Sequence, residues 1–302
     1  MVVFTSQRPL ERAENIKALY DAYNGDKKFV QLNWLRVSPE LTSYKVMVTD
    51  EIPHEKKGTI IFITHGIEGA KRYGLDQKKP YATPLECRMI DYAICQSEET
   101  KDLMAKQLGI PEERVLALGM PRTDLYEKKG DRDKTVYLFA PTYGSKIDID
   151  WEKLDGMMRD DEVMIVKPHM ISNFFIQDRY KHIFPASQEV PTTPYLQSCD
   201  ALITDYSSIM LDGLCIRVPV VLWTKDRAYF ERKGMYYDYP ESFSSYTADT
   251  EEGLLETLRN AKWVDEDKRE FFCGACDGHS RERIVALIRK VLYENTYCSS
   301  NF

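Results

Sequence analysis

The chain has 302 residues, 43% of them hydrophobic and 12% aromatic, enough to build two cored domains. Its formal charge of −7 argues against binding through a broadly basic surface and leads to the expectation of no nucleic-acid partner. Seven scattered cysteines without a disulfide framework, no basic and apolar leader in Met1–Ser6, and no apolar run of about 18 residues lead to the expectation of a cytoplasmic chain without a signal peptide or a membrane span.

Short apolar runs alternate with helical spacing along the sequence. Strands are expected at Val2–Thr5, Phe29–Val37, Tyr44–Val48 and Thr59–Thr64, with a helix over Glu11–Tyr23. His65-Gly66 breaks the fourth run. A strand at Asp91–Cys95 leads to Ser97–Thr100, which should cap a helix ending before Gly109. Arg114–Leu118 then runs into Gly119-Met-Pro-Arg122. Residues 127–134 are charged and lack an apolar pattern, so they read as a linker.

A second series follows. Strands are expected at Thr135–Ala140, Val163–Val166, His182–Phe184, Ala201–Thr204 and Val218–Trp223. Helices are expected at Glu251–Ala261, Asp265–Phe272 and Arg281–Tyr293. Buried strands alternating with helices imply parallel sheets covered on both faces. The fold class is therefore α/β, with two Rossmann-like domains facing across a cleft. The expected N-terminal domain is 1–126 and the C-terminal one 135–302, its last helix allowed to pack back on the first. Ligands of such sheets bind beyond the carboxyl ends of the strands, which selects the residues that follow them.

Two of the five histidines follow directly after buried runs: His65 after TIIFIT and His169 after Lys167-Pro168. His54, His182 and His279 sit in polar or irregular contexts and read as surface residues. Asp205-Tyr-Ser-Ser208 joins a strand to a helix. Backbone N–H groups at that corner suit a phosphate, and the same serines equally suit an ordinary N-cap. Thr142 and Arg122 follow strands. Lys71-Arg72 and Lys233 carry charge in loops that suit either an anionic ligand or solvent. The Cys273-Gly-Ala-Cys276 spacing stands alone and reads as structural. The sequence contains no GxGxxG, P-loop, HExxH or GxSxG pattern, which argues against a classical dehydrogenase, a P-loop NTPase, a zincin and an α/β-hydrolase.

Taken in order, these segments resemble the CDP-glycerol:polyol glycerophosphotransferase family, the teichoic acid polymerase-like enzymes. Thr64-His-Gly66 with Lys71 resembles a WHGTPLK segment. Gly119-Met-Pro-Arg-Thr-Asp124 resembles GYPRND, and Ala140-Pro-Thr-Tyr143 resembles APTW. Lys167-Pro-His169 resembles K/R-x-HP, and Cys199–Ser208 resembles DxLITDYSS. Lys233-Gly-Met-Tyr-Tyr-Asp238 resembles RGxYxD, and Asp277–Arg283 resembles DGxxxxR. Departures cluster in the first half, where Thr64 replaces tryptophan and Ile67-Glu68 replaces Thr-Pro. Lys233 replaces an arginine and Met170 a proline.

The resemblance implies a GT-B-like fold and transfer of a polyol phosphate, glycerol or ribitol, from a CDP-linked donor to a hydroxyl of a glycan or lipid-linked acceptor, with release of CMP. It implies His65 as base and His169 as stabiliser of phosphate charge, roles that are exchangeable. Thr142, Lys167, Thr204, Asp205, Ser207, Ser208 and Lys233 would surround the CDP phosphates. Gly66, Lys71, Arg72 and Arg122 would face acceptor or phosphate. No cofactor or metal ligand set is required, and a divalent cation such as Mg2+ is compatible. Location would be cytoplasmic, with peripheral contact at the inner membrane face allowed. Oligomeric state is not legible. Two alternatives share these features: a GT-B glycosyltransferase using a nucleotide sugar, and a non-catalytic nucleotide-diphosphate binder.

Overall fold

The computed structural model describes residues 1–66, 75, 82–127, 132–142, 144, 147–169, 174–225 and 234–297. The chain divides into two units: Met1–Leu125 with Glu270–Phe302, and Tyr126–Arg269. The segment from Glu270 onward, grouped by the sequence reading with the second half, thus belongs to the first unit.

The first unit is built on a six-stranded parallel sheet of order β2-β1-β3-β4-β5-β6. The strands are β1 (Val2–Ser6), β2 (Lys27–Gln31), β3 (Val46–Thr49), β4 (Thr59–Ile63), β5 (Tyr92–Cys95) and β6 (Val115–Ala117). β1 and β3 are buried at every position, as continuous aliphatic runs must be when both faces are covered. Edge strand β2 buries only Val30. β3 and β4 run side by side from Val46↔Thr59 to Thr49↔Phe62, so the residues following them emerge at one edge of the sheet.

Several expectations are corrected here. The run Phe29–Val37 stops as a strand at Gln31. The Asn33 carboxamide oxygen accepts from the N–H groups of Leu35 and Val37, and Arg36 adopts a φ of 59°. Side-chain turn chemistry therefore outcompetes the sheet ladder. The helix expected over Glu11–Tyr23 is a short 3-10 turn, Leu10–Arg12, followed by Glu14–Ala22. Ser97 makes no capping bond. Its hydroxyl donates to the Phe271 carbonyl at 2.7 Å. Gly109 does end its helix, at a φ of 60° that suits a residue without Cβ. The helix Pro84–Arg88, opened by a complete Thr83–Glu86 capping box, has no counterpart among the expected elements.

The second unit has its own six-stranded parallel sheet, of order β12-β11-β10-β7-β8-β9. Its strands are β7 (Thr135–Phe139), β8 (Glu162–Val166), β9 (Ile183–Pro185), β10 (Ala201–Thr204), β11 (Val220–Trp223) and β12 (Tyr246–Ala248). Tyr137, Phe139, Val166, Ile203 and Trp223 join one buried cluster with Leu254 and Leu258 of the helix Glu251–Asn260. At the start of β8, Glu162 is 3% exposed and grips Arg259 in a bidentate pair, both contacts at 2.8 Å. Hydrogen bonding to that guanidinium outweighs burial and holds the carboxyl down at about 2. His182, expected at the surface, is buried. Its N–H donates to Asp155 and its ring lies 3.2 Å from the Glu162 carbonyl, so it is structural.

Candidate functional site

In the first unit the functional edge is defined by three neighbouring strands. β1 ends at Ser6, β3 is followed by Asp50-Glu51, and β4 by Thr64-His65-Gly66. The Asp50 carboxylate is 2% exposed; one of its oxygens accepts from Ser6 Oγ at 3.1 Å and lies 2.9 Å from His65 Nδ1. On the other side of the ring, His65 Nε2 lies 3.3 Å from Glu51 Oε1. The His65 side chain is 31% exposed, so it is held from within and still reaches solvent. Burial disfavours its charge, but the hydrogen bonds to Asp50 and Glu51 outweigh that cost and push the imidazole up to about 9. At neutral pH the resting ring is therefore an imidazolium donating to two carboxylates. Asp50, Glu51 and His65 also offer ligand atoms within 4.8 Å of one another, a set that could take a divalent cation only if the ring lost its proton.

Asp50 and Glu51 were missed from the sequence. The signal that singled out His65, a polar residue directly after a buried parallel strand, applies equally to them. VMVT is a short run whose apolar pattern ends at Val48, one residue before the strand does.

Other residues assigned to this half fall as follows. The Gly66 carbonyl accepts from Thr64 Oγ1 at 2.6 Å, which tightens the turn after β4. The Arg122 guanidinium donates to Glu14 at 3.1 Å and to the His65 carbonyl at 3.0 Å, so it turns toward the strand end. Lys71 and Arg72 lie outside the described residues.

In the second unit, β10, β7 and β8 are adjacent, so the segments after them share one edge of the sheet. Asp205 is buried, and its carboxylate accepts from the Thr142 N–H at 2.8 Å. Thr204 Oγ1 donates to the Ala140 carbonyl at 2.6 Å. These bonds tie the turn after β7 to the corner after β10, giving Thr204 and Asp205 framing roles. Tyr239 supports the corner from behind, donating to the Asp205 carbonyl at 3.1 Å and packing its ring 4.6 Å from that of Tyr206. Ser207 and Ser208 are half-buried at the start of Ile209–Cys215, and the Ser208 side chain makes no capping bond. The plain cap reading therefore fails for Ser208.

Lys167 is buried after β8, its ammonium 3.4 Å from Gln188 Oε1, and His169 two residues on is exposed. Thr142, Lys167, Ser207 and Ser208 thus line one sheet edge within this unit. Lys233 lies outside the described residues. Among the described residues no helix is long and apolar enough to cross a membrane.

The chain is 23% identical over 94% of its length to a teichoic acid poly(ribitol-phosphate) polymerase of Bacillus spizizenii, covering 55% of that protein. It is 24% identical over 68% of its length to a teichoic acid glycerol-phosphate transferase of Staphylococcus aureus, covering 62% of it. The chain therefore spans roughly half to three-fifths of these relatives. The structure of the wall teichoic acid polymerase TagF superposes with a TM-score of 0.80 at 22% identity, covering 98% of this chain and 90% of that one, which shows the shared fold. One family model matches the sequence over residues 21–290, a span that holds both strand-end histidines and the framed serine corner, and the chain belongs to the CDP-Glycerol:Poly(glycerophosphate) glycerophosphotransferase family.

Proposed function

We propose that the chain transfers a polyol phosphate from a CDP-linked donor to an acceptor hydroxyl on a glycan, releasing CMP. The observation that carries this reading is the pairing of His65 with Asp50 at the end of β4, in a member of this family. The relatives' names supply two candidate polyols, glycerol phosphate and ribitol phosphate.

In this reading the acceptor oxygen attacks the polyol-side phosphorus in line. The P–O bond to CMP breaks, and CMP leaves with that electron pair. The acceptor proton passes to His65 Nε2, which requires the ring to be neutral first and Glu51 to yield its place to the incoming hydroxyl. Asp50 on Nδ1 fixes the tautomer and supports the imidazolium that forms. On the donor side, the hydroxyls of Ser207 and Ser208, Thr142 and the Lys167 charge would hold the phosphates, with His169 meeting the charge of the leaving CMP. Lys71, Arg72 and Lys233 would add cationic contacts. Placement at the inner membrane face belongs to this proposal, since the acceptor class is made there.

The test is a donor panel of CDP-glycerol, CDP-ribitol and nucleotide sugars. CMP release from a CDP-polyol, lost in His65→Ala, supports the reading. Nucleoside diphosphate release from a sugar donor would support a glycosyltransferase instead.

A further inference from the structure

The backbone that carries His65 is gripped by polar side chains from outside the β3–β4 edge. Asn15 is 2% exposed; its Nδ2 donates to the Thr64 carbonyl at 2.9 Å and approaches the His65 carbonyl at 3.4 Å. The Arg122 guanidinium donates to the same His65 carbonyl at 3.0 Å and is itself held by Glu14 at 3.1 Å. The two grips are cross-linked, because the Arg122 N–H donates to Asn15 Oδ1 at 3.1 Å.

The turn bearing Arg122 is anchored in turn. Asp124, with a side chain 1% exposed, accepts from the N–H groups of Ser280 at 3.1 Å and Arg281 at 2.7 Å, at the start of the helix Ser280–Tyr297. Arg283 donates to the Leu118 carbonyl at 3.1 Å and pairs with Asp277 at 2.8 Å. Gly119 lies against Ala275 with a φ of 83°, where a Cβ would collide with the Ala275 carbonyl and the Ser280 hydroxyl.

We propose that Arg122 and Asn15 are positioning residues that clamp the Thr64–His65 backbone, and that the Asp277–Arg283 segment anchors the turn presenting Arg122. The inference rests on the reading of His65 as the proton acceptor. A carbonyl given two donors has little freedom to rotate, and the imidazole must meet Asp50 on one nitrogen while presenting the other outward. A displacement of about 1 Å at such a group costs on the order of 10²-fold in rate. The arrangement also explains why an arginine that looked free to meet an acceptor in the sequence is committed to Glu14 and the strand end.

The experiment uses the full chain with Arg122→Gln, Arg122→Lys, Asn15→Asp and Arg283→Gln. Three quantities are read: thermal stability, kcat and KM with CDP-glycerol, and the NMR titration of the His65 ring. Arg122→Gln and Asn15→Asp are expected to lower kcat by tenfold or more with donor KM within about twofold. Their His65 midpoint should move from the wild-type value toward the ordinary 6.5. Arg122→Lys, which keeps a donor and a charge, should recover part of the loss and covers the case in which Asn15→Asp fails to fold. Arg283→Gln should reproduce the kcat loss in weaker form; a fall in thermal stability alone would overturn the anchoring role. If the His65 titration of Arg122→Gln overlays that of the wild type, the clamp is overturned. Should the wild type turn over no CDP-linked donor, the functional reading fails, and the titration still decides the clamp.

Discussion

One carboxylate oxygen of Asp50 stands 2.9 Å from His65 Nδ1 and 3.1 Å from Ser6 Oγ, joining the ends of three neighbouring strands through a single atom. The relationship follows from strand order. β3 lies between β1 and β4, so a carboxylate after β3 is within reach of residues after both. A buried acid so placed can do little except orient and charge the histidine.

Asp50→Asn should therefore lower kcat by about 10² to 10⁴, as removal of a tautomer-fixing acid does. Ser6→Ala should cost less than tenfold, because it leaves the ion pair intact. Steady-state kinetics on folded variants checks both, and a fully active Asp50→Asn chain would refute the orienting role.

Glu51 should act in the opposite sense. Its hydrogen bond helps to keep His65 protonated, with a value of about 9. kcat/KM reports the free enzyme and should rise with pH until about 9 if His65 accepts the proton. Glu51→Gln should move that rise to lower pH and increase kcat/KM severalfold at pH near 7, with kcat little changed. A pH profile that falls between neutrality and 9 would exclude His65 as the base.

The same pairing carries a stability signature. The His65 value is raised from 6.5 to about 9, so the folded state binds the proton more tightly than the unfolded chain. The resulting stabilisation, at most about 3 kcal/mol, is complete below the unfolded value and disappears as pH rises through the folded one. Urea unfolding of the wild type should weaken over that window, and the decline should be shallower in His65→Asn.

In the second unit, Glu162 and Arg259 should behave with the reverse sign. Glu162 is lowered from 4.5 to about 2, so its contribution is present above 4.5 and is lost as pH falls toward 2. Arg259→Ala strands a buried carboxylate and should destabilise the chain by about 3 kcal/mol at neutral pH. Denaturant melts at neutral and acidic pH test this, the variant losing less further stability on acidification than the wild type.

The sequence discloses the fold where continuous aliphatic runs mark strands buried on both faces, as in TIIFI and ALIT, which appear as β4 and β10 with at most one residue altered. It misleads where local side-chain chemistry overrides pattern. Asn33 ends a strand that Val37 seemed to extend, and Ser97 spends its hydroxyl on Phe271 when a cap was expected. His182 reads as polar surface but is enclosed by Asp155 and the start of β8, a tertiary fact without a local signal. In the site, strand-end position exposes His65 and would have exposed Asp50. The direction in which Arg122 points depends on Asn15 and Glu14, a hundred residues away in sequence, and no spacing rule reaches that far.

Whether the chain is a His65-dependent polyol-phosphate transferase is decided by following the products of CDP-glycerol and CDP-ribitol, with a glycan acceptor carrying terminal polyol phosphate, for the wild type and His65→Ala side by side. The wild type should give stoichiometric CMP and a new phosphodiester, and the variant a rate lower by about 10² or more. Equal CMP release by the two chains, or release of a nucleoside diphosphate from sugar donors alone, would contradict it.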